Sequence, residues 1–97
     1  VRVFLGTRDL LFRSKLGAVV QAAGGELTRD EGGCDLAVIE LGVDGDERIR
    51  ALLARGIPVL AFGSHVNADA LRAARDAGAT AVPNSQVEHA LAERIRA

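Results

Sequence analysis

Cysteine is nearly missing from this 97-residue chain: Cys34 is its single instance, so no internal disulfide can form. A reducing, cytoplasmic setting is the expectation. One Cys and two His supply no metal-site spacing, and neither a metal nor any other cofactor is expected. No apolar run approaches about 18 residues, so no transmembrane helix is expected. The opening Val1-Arg2-Val3-Phe4-Leu5 is too short for a signal-peptide core. An excess of either charge is missing too. Twelve Lys and Arg stand against thirteen Asp and Glu, for a net charge of −1. That balance argues against the clustered basic footprint of nucleic-acid binding and against a polybasic membrane anchor. No glycine-rich phosphate loop of the dinucleotide or Walker type occurs. Met, Trp and Tyr are absent and Lys15 is the lone Lys, a bias that reads as GC-rich coding.

What is present alternates between apolar runs and helical stripes. Val1–Leu5 reads as a buried strand. Phe12, Leu16, Val19, Val20 and Ala23 recur at helical spacing, with Thr7 or Asp9 as N-cap and Gly24-Gly25 as the stop. Glu26-Leu27-Thr28 is at most a short edge strand, and Arg29 to Gly33 is a loop. Leu36–Ile39 is the second clear run. A Gly/Asp loop, Gly42 to Asp46, leads to a helix that buries Ile49, Leu52 and Leu53 and closes at Gly56. Ile57–Phe62 is the third run, with Pro58 near its start. Asn67 caps the next helix, with Val66 and Leu71 spaced as a hydrophobic staple; Leu71, Ala74 and Ala77 face inward until Gly78. Ala79–Val82 is the fourth run. Ser85 and Glu88 are spaced as a capping box before a last helix that buries Val87, Leu91 and Ile95.

This alternation predicts one domain over residues 1–97, a parallel sheet with helices on both faces. In such sheets functional groups collect beyond the carboxyl ends of the strands. The residues there are Gly6 to Asp9, Glu40 to Gly42, Gly63 to His65, and Pro83 to Ser85.

Three stretches resemble a known family. Cys34-Asp35-Leu36-Ala37-Val38-Ile39-Glu40-Leu41 is similar to the receiver-domain stretch that ends in a phosphoacceptor Asp. Gly56 to His65, reading GIPVLAFGSH, is similar to the strand that follows. Ala68 to Ala79, ending AARDAGA, resembles the next receiver helix. The resemblance to receiver domains of response regulators is good from Asp35 onward and holds in outline over Val1 to Gly25. It implies a flavodoxin-like three-layer sandwich with strand order 2-1-3-4-5.

The residues depart from that family where its chemistry sits. Receivers keep an acidic pair after the first strand to hold Mg²⁺; here Gly6-Thr7-Arg8-Asp9 leaves Asp9 beside a cation. The phosphoacceptor position falls on Glu40. The switch Ser/Thr position falls on Gly63, with Ser64 one residue late, and the phosphate-pairing Lys position falls near Asn84 or Ser85. The resemblance therefore implies a pseudo-receiver, with the fold but without phosphotransfer. Arg8 and Glu40 either form a charge-assisted pair that stands in for metal and phosphate, or both point to solvent.

Length is the other departure. Between Gly25 and Cys34 a receiver has a strand and a full helix, and eight residues cannot supply both. Helix two is expected to be missing or reduced to a turn, with a weak strand two. Apolar surface near strands one and three would then be left open for a protein partner or a second copy.

Other features read more plainly. His65 is a loop residue at the rim, Ser64 a cap, and Cys34 a buried strand neighbour. His89 is a helix-surface His, and Arg72, Arg75, Arg94 and Arg96 lie among acidic residues on a mixed-charge face. The function expected is non-enzymatic: a signalling or regulatory module that works by protein contact, through the family's pairing face, here Leu71, Arg75, Val87, Leu91 and Arg94. The alternative is a small-ligand, phosphate-binding or enzymatic domain that uses Arg8, Asp9, Glu40, His65 and Asn84 in the strand-end cleft.

Overall fold

The apolar runs form five strands, β1 (Arg2–Gly6), β2 (Glu26–Thr28), β3 (Leu36–Glu40), β4 (Val59–Gly63) and β5 (Thr80–Pro83). They alternate with four helices, α1 (Leu10–Ala22), α2 (Gly45–Ala54), α3 (Ala68–Asp76) and α4 (Val87–Arg96). The computed structural model describes residues 1–42 and 44–97, so the expected Gly42–Asp46 loop lies within them except for Val43. All strand pairs are parallel, in the order β2-β1-β3-β4-β5. This is the flavodoxin-like arrangement expected from the sequence.

Alternation along the strands builds two core layers. Val3, Leu5, Leu36, Val38, Leu60 and Phe62 face α1 and α4 and meet Leu16, Val20, Val87, Leu91 and Ile95. The rings of Phe12 and Phe62 cross there at 5.1 Å. Ala37, Ile39, Val59, Ala61 and Ala81 face α2 and α3 and meet Ile49, Leu52, Leu71 and Ala74, with Cys34 at the edge of this layer. Because β3 and β4 are covered on both faces, each reads as a near-continuous apolar run.

One device ends α1, α2 and α3 alike. The N–H of Gly24, Gly56 and Gly78 donates to the carbonyl of Gln21, Leu53 and Arg75. The next residue in each case, Gly25, Ile57 or Ala79, donates to Val20, Leu52 or Ala74. These are paired Schellman hydrogen bonds, which require a left-handed residue just past the helix. At Gly56, φ is +78° and nothing lies within 4 Å of a would-be Cβ, so backbone conformation alone selects glycine.

Between β2 and β3 there is one 3₁₀ turn, Glu31–Gly33, where a helix would otherwise run. Asp30 caps it by accepting from the Gly32 N–H, and Arg2 holds its end through Gly33 O. Helix two is thus reduced to a turn, and β2 is three residues long.

Three local expectations fail. Val66 is 80% exposed, so it makes no staple with Leu71. The Ser64 hydroxyl accepts from the Val66 N–H in a turn that aims Val66 at solvent. Ala77 is exposed and closes α3 as its C-cap. Ser85 and Glu88 form no capping box, because a 3₁₀ turn over Asn84–Gln86 delays the start of α4 to Val87.

Candidate functional site

The carboxyl ends of β1 and β3 open into a cleft of about 760 Å³. Its floor is the sheet face that lacks a helix: Phe4 and Gly6 of β1, Thr28 of β2 and Ile39 of β3. Gly6 is there because the backbone passes close to its neighbours. A Cβ at Gly6 would stand 2.6 Å from Ile39 Cδ1 and 3.2 Å from Arg48 Nη1.

At the strand ends, Thr7 is 5% exposed and its hydroxyl donates to Glu40 Oε1 at 2.6 Å. Thr7 Oγ1 also accepts from the Asp9 N–H at 3.1 Å. Asp9 in turn caps α1, its Oδ1 accepting from the N–H groups of Leu11 and Phe12. Arg13 reaches back from α1 and donates to Thr7 O at 2.9 Å. The turn after β1 is therefore fastened from both sides. Of the two alternatives for Arg8 and Glu40, the pair is not formed and solvent exposure holds for Arg8 only: the partner of Glu40 is Thr7.

Register explains this. β1 and β3 pair with Gly6 opposite Ile39, so the next residues, Thr7 and Glu40, come side by side. Arg8 lies one residue too far along.

The open sheet face is not the apolar patch that the short β2–β3 connection suggests. Arg48 of α2 lies over it, its guanidinium carbon 5.8 Å from the centroid of the Phe4 ring. Arg48 Nε also pairs with Glu31 Oε2 at 3.5 Å. Four arginines line the cleft, Arg8, Arg13, Arg29 and Arg48, against two carboxylates, Glu40 and Asp44. Sequence reasoning missed Phe4, Arg13, Arg29 and Arg48, and it placed Thr7 at the strand end without its bond to Glu40. The signal available for Thr7 was its place next to the strand end.

Of the ligand-cleft set, Arg8 and Glu40 do line one cleft, whereas Asp9, His65 and Asn84 do not. His65 is exposed in the turn before α3. Asn84 is half-buried, and its Oδ1 is enclosed without a hydrogen-bond partner. Gly63 is buried against Leu41 and Ser85 is exposed.

The expected pairing face also needs correction. Leu71, Val87 and Leu91 are core residues, at most 5% exposed, and cannot present themselves to a partner. Arg75 donates through Nε and Nη2 to Ala81 O, and Arg94 Nη1 donates to Thr80 Oγ1, so both fasten helices to β5.

The Mg²⁺ that receiver chemistry uses does not fit these residues. Asp9 is engaged as a helix cap, Glu40 accepts from Thr7, and arginines surround the position. Among the described residues no three His, Cys, Asp or Glu gather as a metal-binding group. Cys34 lies outside the cleft; burial pushes its thiol pKa up, and its Sγ–H donates to Glu31 O at 3.2 Å.

No family model matches the chain and no curated protein matches it. Solved structures do. The receiver domain of the Francisella response regulator 1452 superposes with a TM-score of 0.78 at 14% identity, over 97% of this chain and 92% of that one. A response regulator receiver protein from Pseudoalteromonas atlantica gives 0.80 at 16%, over 99% and 94%. The DrrB receiver domain, in a beryllofluoride-activated form, gives 0.80 at 16%, over 98% and 93%. At these identities the similarity defines the fold: this chain has the fold of response-regulator receiver domains.

Proposed function

We propose that this domain is a receiver-like signalling module that acts by protein–protein contact, performs no catalysis, and is not switched by phosphorylation. The observation that carries the reading is the 2.6 Å hydrogen bond from Thr7 to Glu40. It engages the carboxylate at the strand end where the family places its phosphoacceptor. That carboxylate is a Glu, with Arg8 and Asp9 where receivers keep an acidic pair. A charge-assisted bond of this kind holds one arrangement of the turn without added phosphate or metal. A cytoplasmic setting belongs to the same reading.

The test is an amide-resolved NMR titration with beryllofluoride and Mg²⁺, the reagent named for the DrrB neighbour. No saturable shift is expected at Thr7, Arg8, Asp9 or Glu40, and acetyl phosphate should add no phosphoryl group by intact mass. A saturable shift or a covalent phosphoryl adduct overturns the reading.

The four arginines favour a second reading, a small anionic ligand in the cleft. Its volume falls within the roughly 300–1,000 Å³ range of small-molecule sites. Thermal-shift screening with phosphates and nucleotides decides it. A ligand at 100 times its Kd would stabilise by about 2.7 kcal/mol, and no rise in Tm across the screen eliminates the idea.

A further inference from the structure

We infer that the cleft left by the shortened β2–β3 connection is a docking groove for an acidic amphipathic helix supplied by a partner protein. This rests on the protein-contact reading above and names its surface and the chemistry of its partner.

The shape argues for a helix. Parallel sheets are covered by helices on both faces, yet α2 and α3 pack chiefly on β3, β4 and β5. The strip formed by β2, β1 and the near side of β3 is left to one 3₁₀ turn and to Arg48. Three strands spaced about 4.8 Å apart make a strip roughly 10 Å wide, which matches the ~10 Å diameter of a helix with its side chains. The floor offers the half-buried Phe4 to an apolar stripe.

Charge specifies which helix. Arg8, Arg13, Arg29 and Arg48 line the groove against Glu40 and Asp44, and even with Glu31 paired to Arg48 the arginines are in excess, although the chain as a whole carries −1. Among the described residues neither Arg8 nor Arg29 enters an ion pair. Guanidinium groups on a rim suit carboxylates, which they bind through paired N–H donors. A second copy of this chain has nothing to match. α1 carries Arg13 and Lys15 without an acid. In α2, Asp46 and Glu47 are offset by Arg48 and Arg50; in α3, Asp69 and Asp76 by Arg72 and Arg75; in α4, Glu88 and Glu93 by Arg94 and Arg96. None of these four helices carries the acidic face that the groove's charge calls for, and the inferred occupant is a partner protein's helix.

The experiment is an amide-resolved titration of the 97-residue domain with a synthetic helix of about 14 residues, ~21 Å long. The peptide carries Leu on one face and Glu on its flanks, and a matched peptide carries Lys in place of Glu. The Glu peptide should shift the amides of Phe4, Gly6, Thr28 and Ile39 saturably, and the Lys peptide should not. Arg29→Glu, a change at an exposed loop residue, should weaken binding about tenfold, as should raised salt. An unchanged NMR spectrum away from the groove confirms that this variant is folded. Equal binding of both peptides, no saturable shift, or shifts confined to another face overturns the inference. So does a phosphate-only response, in which inorganic phosphate shifts the groove amides and the Glu peptide does not. Beryllofluoride with Mg²⁺, added to the same sample, separates the two claims. A response there defeats the phosphorylation-independent reading whatever the peptides do, whereas a silent Glu peptide with no beryllofluoride response defeats the docking inference alone.

Discussion

The bond between Thr7 and Glu40 should be measurable as a coupling energy, and Arg8 should have almost none with the same carboxylate. The perturbation is a double-mutant cycle built from Thr7→Val and Glu40→Ala, with Arg8→Ala paired to Glu40→Ala as its control. Val keeps the shape of Thr and deletes the hydroxyl that donates to Glu40 Oε1 at 2.6 Å and accepts from the Asp9 N–H at 3.1 Å. The second loss occurs in both halves of the Thr7 cycle, so it cancels from the coupling. A hydrogen bond to a charged acceptor contributes about 1.5–3 kcal/mol to stability. Thr7 is buried but Glu40 is half-exposed, so solvent screens the carboxylate and the low end applies. The expected coupling is about 1.5 kcal/mol for Thr7 with Glu40 and below about 0.3 kcal/mol for Arg8 with Glu40. Near 100 residues, 1 kcal/mol moves Tm by about 4 °C, so the coupling alone corresponds to roughly 6 °C. Urea denaturation of the four proteins in each cycle reads the energies directly, provided m stays constant. A Thr7–Glu40 coupling under about 0.5 kcal/mol, or an Arg8 coupling equal to it, would refute the fixed-turn argument.

Three further outcomes follow from the packing. Arg48→Ala removes a cation from the Phe4 ring and an exposed ion pair with Glu31. Both contacts are weak, so chemical denaturation should show a loss of about 1 kcal/mol, and most of it should vanish in a Phe4→Leu background. Gly56→Ala should cost about 1–2 kcal/mol by the same assay, because its φ of +78° is left-handed and nothing crowds the new methyl. Gly42→Ala, where space is also open and φ lies outside that region, should instead be neutral or stabilising by up to about 0.5 kcal/mol. Burial raises the Cys34 pKa above its unfolded value. Its contribution to stability is therefore complete below about pH 8.5, the ordinary thiol value, and is lost as pH rises through the folded pKa. Stability curves of wild type and Cys34→Ala should converge in that alkaline window; parallel curves would remove Cys34 as the cause.

Much of the architecture was legible because it rests on signals that act locally and repeat. Gly24, Gly56 and Gly78 mark the helix ends, and each sits in the left-handed conformation that only glycine adopts freely. The runs at Leu36 and Val59 are apolar throughout because both faces of β3 and β4 are covered. Spacing rules failed where neighbours decide the outcome. The Val66–Leu71 staple and the Ser85–Glu88 box have the right intervals, but a turn on each side aims the residues elsewhere. The i, i+4, i+8 stripe of Val87, Leu91 and Ile95 reads as a buried face, while Val87 and Leu91 also fall in the expected pairing face. Exposures of 0%, 0% and 8% leave the first meaning alone.

The site itself was legible as a place and not as a set of contacts, and strand geometry shows why. A carboxylate at the end of β3 was evident from Glu40 after an apolar run. Choosing its partner on β1 required the register, and a shift of one residue exchanges the direction in which a strand side chain points. With Gly6 opposite Ile39, Thr7 takes the position that a charge argument assigns to Arg8. The shortage of residues between Gly25 and Cys34 was likewise countable, and it correctly removes a helix. Its consequence for the surface was not, because the groove's arginines come from separate parts of the chain. Arg29 follows β2, whereas Arg48 belongs to α2 and reaches Phe4 and Glu31 only once that helix packs on β3. An open sheet face thereby gains a cationic rim instead of an apolar one, so a missing helix leaves charge where an apolar patch was expected.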